Sequence, residues 1–300
     1  MMPFGCDISD KSSCGRDPHS LAQKFGFDLK LMNLGDKFIE MVKNPKHGYG
    51  KNMNPCIDCR IMMLIEAKWF MEMVGADFVF TGEVLGQRPM SQYRPQLDLI
   101  AREAGLGGKL LRPLSARLLP PTEPELAGIV DREQLENISG RSRKRQMELA
   151  AQLGLDQYPA PAGGCLLTDI TYSRRLRDML THAEEINYDS LALLRLGRYF
   201  RISPQVKLIV GRNEKENEQL QKRCRPEDIL FEVENTGSPL CLLRGKATEE
   251  IIQLAASITA RYCDLKQTDK VNVTYRKNGQ EPLEIIVSPI KDVFLEKNRI

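Results

Sequence analysis

Strand and helix signals alternate through the first half of this chain, and that alternation limits its fold more than any other feature. An apolar strand at Asp28 to Asn33 precedes a helix from Asp36 to Val42, a long apolar helix from Cys56 to about Val74, and a strand from Asp77 to Thr81. A loop from Gly82 to Gln87 and a helix from about Ser91 to Ala104 follow, with Ser91 placed to cap that helix. Elements in this order build an α/β domain around a parallel sheet. Pro113, Pro120, Pro121 and Pro124 then exclude a regular helix and predict an extended crossing segment. Helices resume at about Ser142 to Leu153 and Tyr172 to His182.

After Asn187 the elements shorten. Strands are expected at Val206 to Val210, Ile229 to Val233, Leu240 to Leu243, Val271 to Tyr275 and Leu283 to Val287, with helices at Asn213 to Lys222 and Thr248 to Tyr262. The change divides the chain into domains at 1–186 and 187–300. Its 300 residues suffice for two domains, and 42% hydrophobic with 28% charged residues is a soluble globular composition. No apolar run approaches the ~20 residues that span a bilayer. The start, Met1-Met2-Pro3-Phe4-Gly5-Cys6, has no basic region followed by an apolar stretch. A cytoplasmic protein without membrane attachment is expected.

Eight cysteines in a chain of this class read as reduced thiols, metal ligands or redox sulfurs rather than a disulfide framework. Cys224, Cys241 and Cys263 read as small buried hydrophobes. Cys6 and Cys14, in a Gly/Ser/Asp-rich stretch, are possible extra ligands. Cys56 and Cys59 open the long helix, where unsatisfied N–H groups and the helix dipole favour thiolate. Cys165 follows a second glycine-rich turn. The three histidines, His19, His47 and His182, do not complete a structural zinc set. Three cysteines with an open fourth position suit an iron–sulfur cluster, or a persulfide and disulfide pair without metal.

The loop after Thr81 falls where open α/β sheets bind ligands, beyond the carboxyl ends of strands, and Gly82 and Gly86 let a nucleotide approach the backbone. Net charge is only +3, so nucleic-acid binding has to come from local patches. Arg141, Arg143, Lys144 and Arg145 crowd a helix start, where an RNA phosphate would relieve their unfavourable position. Arg174, Arg175 and Arg177 form a second cluster after Cys165.

Asn54-Pro55-Cys56-x-x-Cys59, Thr81-Gly82-Glu83-x-x-Gly86-Gln87-x-x-x-Ser91-Gln92 and Gly163-Gly164-Cys165 together resemble the PP-loop tRNA thiouridylases. The branch is similar to 4-thiouridine synthetases and to a predicted subunit of tRNA (5-methylaminomethyl-2-thiouridylate) methyltransferase. The likeness runs from about Leu21 to Leu180. The second half is similar to the RNA-binding domain of NFACT proteins, through Lys207-Leu208-Ile209-Val210-Gly211-Arg212-Asn213 and Glu216-Asn217. There Lys207, Arg212 and Asn213 would offer donors to phosphate or base edges.

The resemblance implies a Rossmann-like parallel sheet followed by a smaller α/β RNA-binding domain. It also implies thiolation of a tRNA uridine: ATP adenylates a carbonyl oxygen, and sulfur then displaces AMP. Gly82, Gly86, Gln87, Ser91 and Gln92 would contact the nucleotide, with Glu83, Cys56 and Cys165 catalytic. Cys56, Cys59 and Cys165 would hold a four-iron cluster, or Cys56 and Cys165 would act as nucleophile and persulfide carrier. A sulfur donor protein or sulfide would supply the sulfur. The phosphate-binding motif Ser-Gly-Gly-x-Asp-Ser is missing, since Ser139-Gly140-Arg141-Ser142 lacks its second glycine and aspartate. A late start codon, a split gene or abandoned ATP chemistry would each explain this. Another chain supplying the loop, or a non-catalytic RNA-binding or sulfur-relay role, is the corresponding alternative.

Overall fold

No glycine or proline interrupts the chain from Cys56 to Val74, and in the computed structural model these 19 residues form one helix. Residues 18–155, 165–182, 184–277 and 280–300 are described. The chain forms two units, Met1–Asp169 and Ile170–Ile300.

In the first unit α1 (Pro18–Phe25) and α2 (Gly35–Lys43) precede the cysteine helix α3 (Cys56–Val74). Gly75 ends α3 in the left-handed conformation, φ 69°, with its N–H turned back to the carbonyls of Met71 and Glu72. β1 (Val79–Phe80), α4 (Arg94–Glu103) and β2 (Leu110–Leu111) make a strand–helix–strand crossover. Val79 lies opposite Leu110 and Phe80 opposite Leu111, in parallel. Ile61, Leu64 and Met71 of α3 pack with Ile100 and Ala101 of α4 and with Ala104, which follows it. α5 (Glu123–Leu126) and α6 (Lys144–Gln152) complete the unit.

The alternation is therefore real, but the parallel sheet is smaller than a Rossmann-like fold implies: among the described residues it is this two-stranded pair. The strand expected at Asp28 to Asn33 is not formed. Among the described residues it has no neighbouring strand to pair with, and Asn33 Oδ1 instead accepts a hydrogen bond from the Gly35 N–H at 3.0 Å, turning the chain into α2. Ser91 does not cap α4, which begins three residues later behind Tyr93 with proline in its first turn. The proline-punctuated segment is not simply extended. It winds into a 3-10 turn at Pro113–Leu118 and into α5, where Thr122 and Glu125 form a capping box.

The second unit comprises α7 (Ile170–Thr181), α8 (Tyr188–Leu193), β3 (Arg198–Ser203), β4 (Val206–Val210), α9 (Glu214–Lys222), β5 (Ile229–Glu232), β6 (Cys241–Arg244), α10 (Glu249–Tyr262), β7 (Val271–Lys277), β8 (Leu283–Val287) and α11 (Asp292–Asn298). Its six strands run antiparallel in the order β3-β4-β6-β5-β7-β8. Thr248 caps α10, whose small Ala255 and Ala256 allow close approach to the sheet. Phe200, Leu208, Phe231, Leu243 and Val273 are buried beneath it with Ile258. Cys241 and Cys263 are buried in the same core, as their apolar settings implied.

The units divide at Asp169/Ile170, earlier than the expected 186/187, because α7 is bound into the second unit by Arg175. Its guanidinium donates to the carbonyls of Leu194 at 2.7 Å, Leu196 at 3.2 Å and Gly197 at 2.8 Å. It also stacks 4.5 Å from the Tyr199 ring centroid. Burial lowers the Arg175 pKa, and these carbonyls and the ring stand where water would otherwise solvate it. Replacing Arg175 with methionine should cost about 3 kcal/mol, because buried carbonyls lose their donor. Urea unfolding of the full chain, followed in the second unit, measures this; an unchanged midpoint would exclude the role.

Candidate functional site

Asn54 assembles the sulfur site. Its Nδ2 donates to Cys56 Sγ at 3.2 Å, while its Oδ1 accepts the distant contact of Cys165 Sγ at 3.8 Å. Asn52, in the left-handed region at φ 59°, donates through Nδ2 to the Thr168 carbonyl at 2.6 Å. The Met53 N–H donates to the Leu167 carbonyl at 3.0 Å. Three successive residues thus fasten the entry of α3 to the Cys165 turn. Cys56 is the first residue of α3, behind Pro55.

Cys59 departs from the expected pair of ionised thiols. Burial pushes its thiol up to about 12, and its Sγ lies 4.0 Å from the Met63 sulfur. The N-terminal turn does not ionise a thiol that the helix packing has removed from water. Cys56 and Cys165 remain as the pair joined through one amide.

No group of three or more His, Cys, Asp or Glu among the described residues is placed to hold a metal ion. With Cys59 set toward Met63, the three thiols do not fit an iron–sulfur cluster as they stand. Cys6, Cys14, Gly163 and Gly164 lie outside the described residues.

One turn along α3, Arg60 Nε stands 3.7 Å from Glu83 Oε1. Glu83 Oε2 accepts from Arg112 Nε at 3.0 Å and from Thr81 Oγ1 at 3.3 Å, and Arg112 reaches the Leu97 carbonyl at 3.1 Å. Glu83 therefore sits at the carboxyl ends of β1 and β2, beside the sulfur-bearing helix. Gly82 leaves open space above its backbone, whereas Gly86, at φ 74°, passes close to the Gly140 backbone. Gln87 Nε2 donates to Gln146 of α6 at 2.9 Å.

Glu83 Oε1, Ser91 Oγ and Gln92 Oε1 are buried without a hydrogen-bond partner among the described residues. Unmet acceptors suit a ligand that brings N–H or O–H donors, such as a nucleobase or ribose. On the other side of α3's first turn, His47 bridges Asp58 at 2.9 Å and Glu103 at 3.2 Å. Arg60, Arg112, His47 and Asn54 were not given roles from sequence. Only Asn54, next to the Cys56 motif, carried a local signal.

The basic candidates separate on inspection. Arg141, Lys144 and Arg174 are exposed, and Arg143 is half-buried at the start of α6. Arg145 is engaged by Glu136 in a two-bond fork at 2.7 and 3.1 Å, so the helix start is relieved by a carboxylate within the chain. Lys207 is buried and ion-paired with Glu184, and Arg201 joins the same carboxylate at 2.6 Å. Arg212 pairs with Glu216, and Asn213 caps α9 by accepting from the Glu216 N–H at 3.0 Å. Asn217 Oδ1 accepts from the Leu240 N–H at 3.1 Å. The Arg212–Asn217 segment is thus a braced turn, and Arg175, Lys207 and Asn213 hold the fold.

The unit built on this antiparallel sheet carries an RNA-binding domain: residues 197–298 match the family described as NFACT protein RNA binding domain. The solved C-terminal structure of the fibronectin/fibrinogen-binding protein from Streptococcus suis is 14% identical. The match covers 54% of this chain and 80% of that one, with a TM-score of 0.32, too low to show a shared fold. No curated protein matches the chain.

The raised Cys59 pKa has a direct consequence. Thiolate is the reactive form, so Cys59 should be the slowest of Cys56, Cys59 and Cys165 to alkylate with iodoacetamide at pH 7.5. Peptide mapping over time tests the order, and Cys59 reacting first would show that its burial is misassigned.

Proposed function

We propose that the chain is an RNA-thiolating protein of the tRNA thiouridylase type, in which the second unit holds RNA and the first delivers sulfur through Cys56 and Cys165. The observation that carries this reading is the Asn54 side chain reaching both thiols. Cys165 takes a sulfane sulfur from a donor protein and becomes a persulfide. Its terminal sulfur attacks the uridine carbon whose oxygen has been adenylated, and AMP leaves with the C–O electron pair. Cys56 thiolate then attacks the Cys165 sulfur, the S–S bond to the transferred sulfur breaks, and its electron pair remains on the thiolated base. A Cys56–Cys165 disulfide results, and a thiol reductant returns both cysteines to the starting state.

The base would meet the Glu83, Ser91 and Gln92 oxygens that lack a hydrogen bond, while Arg60 and Arg112 hold the Glu83 carboxylate in place. ATP is a substrate of this scheme, and its phosphates need a loop that the 300 residues do not contain. A strand and helix supplied by another chain would have a place to dock. Phe80 of β1 is 69% exposed, and Ile65, Trp69 and Met73 form an exposed apolar stripe on α3. Among the described residues β1 pairs on one side only.

Incubating the full chain with a donor carrying radioactive sulfane sulfur separates the roles. Cys165→Ser should lose the label, and Cys56→Ser should retain it without passing it on. Both variants should bind a tRNA transcript as the unaltered chain does. Equal labelling of Cys165→Ser, or stoichiometric iron and acid-labile sulfide in protein isolated without oxygen, would sink the persulfide scheme. Intact RNA binding alone would leave the non-catalytic RNA-binding role.

A further inference from the structure

The loop that carries Asn52 and Asn54 is closed at its base by a residue outside the sulfur motif. His47 stands eleven positions before Asp58, the third residue of α3, and the Asp58 carboxylate accepts two hydrogen bonds from it. The His47 N–H donates to Oδ2 at 3.0 Å, and ring Nδ1 lies 2.9 Å from Oδ1. An aspartate in a first helical turn can favour the helix dipole while still facing water. Asp58 is instead buried, with 8% of its side chain exposed, and lies between Cys56 and Cys59 in the chain.

Between His47 and Asp58 the chain turns back on itself. Gly48 and Asn52 both take the left-handed conformation, at φ 71° and 59°. The Gly50 N–H donates to the Asn54 carbonyl at 2.8 Å, and the Asn54 N–H to that of Lys51 at 3.2 Å. Holding Asn52, Met53 and Asn54 against the Cys165 turn opposes backbone entropy, and fixing the two ends of their loop reduces that cost.

The second ring nitrogen, Nε2, lies 3.2 Å from Glu103 Oε1 at the end of α4. That contact is the weaker one. Glu103 Oε2 accepts from Lys46 Nζ at 2.7 Å, and Lys46 foremost holds the Glu103 carboxyl below the ordinary carboxylate range. The Glu103 side chain is 22% exposed against 8% for Asp58, and a charge-assisted hydrogen bond strengthens as water is excluded. Asp58 from α3, Glu103 from α4 and Lys46 from the loop itself are the charged groups gathered around His47 among the described residues.

We propose that His47 is a positioning residue of the sulfur site, acting through Asp58 to hold the loop of Asn52 and Asn54 against the Cys165 turn. Loss of the His47 side chain leaves Asp58 a single backbone donor, and Asn54 then reaches both sulfurs for less of the time. The placing of the thiols follows from these contacts; its consequence for sulfur transfer rests on the persulfide reading above.

Dibromobimane, which joins two neighbouring thiols, is applied to the full chain, and peptide mapping gives the share of labelled Cys56 that is closed onto Cys165. His47→Ala should lower that share roughly tenfold, the scale of one lost hydrogen bond to a charged group. An asparagine amide falls where Nδ1 stands and a glutamine amide where Nε2 stands, so His47→Asn should come within about twofold of the unaltered chain while His47→Gln stays as low as alanine. A residue serving folding alone would lower the unfolding midpoint without separating asparagine from glutamine. An unchanged share in His47→Ala, or asparagine doing no better than glutamine, overturns the role; should His47→Ala not fold, the asparagine and glutamine pair decides. An unaltered chain that takes no sulfane label on Cys165 would instead sink the sulfur-transfer reading and leave the cross-linking comparison intact.

Discussion

Two asparagine amides tie the beginning of α3 to a turn more than a hundred residues later, and the placing of the first unit's thiols depends on that tie. Asn52 and Asn54 contribute side-chain contacts across sequence separations of 116 and 111 residues. Between them the Met53 amide adds a backbone hydrogen bond. An amide can offer a donor to one sulfur and an acceptor to another, which a carboxylate or ammonium cannot do. One side chain thus reaches the sulfurs of both Cys56 and Cys165.

The parallel strand pair arranges the remainder. α3 runs antiparallel to β1, so its amino end stands over the carboxyl ends of the strands, where Glu83 and Arg112 meet. Its carboxyl end stands over the strand beginnings, where the Gly105–Lys109 turn opens. One helix thus spans from the thiols and buried acceptors at one end to a groove lined by both signs of charge at the other, although only four strand residues form the pair.

In the second unit, charge serves order as much as recognition. Arg175, Lys207, Arg212 and Arg244 are basic residues that a patch count would assign to RNA. Arg175 binds carbonyls, Lys207 and Arg212 meet glutamates, and Arg244 pairs with the buried Asp228 at 2.6 Å. Burial by itself would push the Glu184 carboxyl up, but Lys207 and Arg201 hold it below the ordinary carboxylate range. These interactions stabilise folding where an exposed cation would instead await an anion. Arg174, one residue earlier on α7 and about 100° round the helix, is exposed, whereas Arg175 is buried.

What the sequence determined by itself was periodic or local. The uninterrupted run of α3, the strand at Val206–Val210, the helix behind Asn213 and the α10 stripe were legible because helix and strand repeats and capping residues act over a few positions. The C-x-x-C pair and its Asn54-Pro55 entry were visible for the same reason. Pairing partners were not. β2 is two residues long and has too little pattern to recognise, and the Asp28 to Asn33 run has strand composition but no adjacent strand among the described residues. Tertiary structure alone decided that Asn54 spans two distant thiols, that burial keeps Cys59 protonated, and that Arg175 faces carbonyls instead of solvent. Each outcome depends on which groups exclude water from a side chain, and that is set by contacts between residues far apart along the chain.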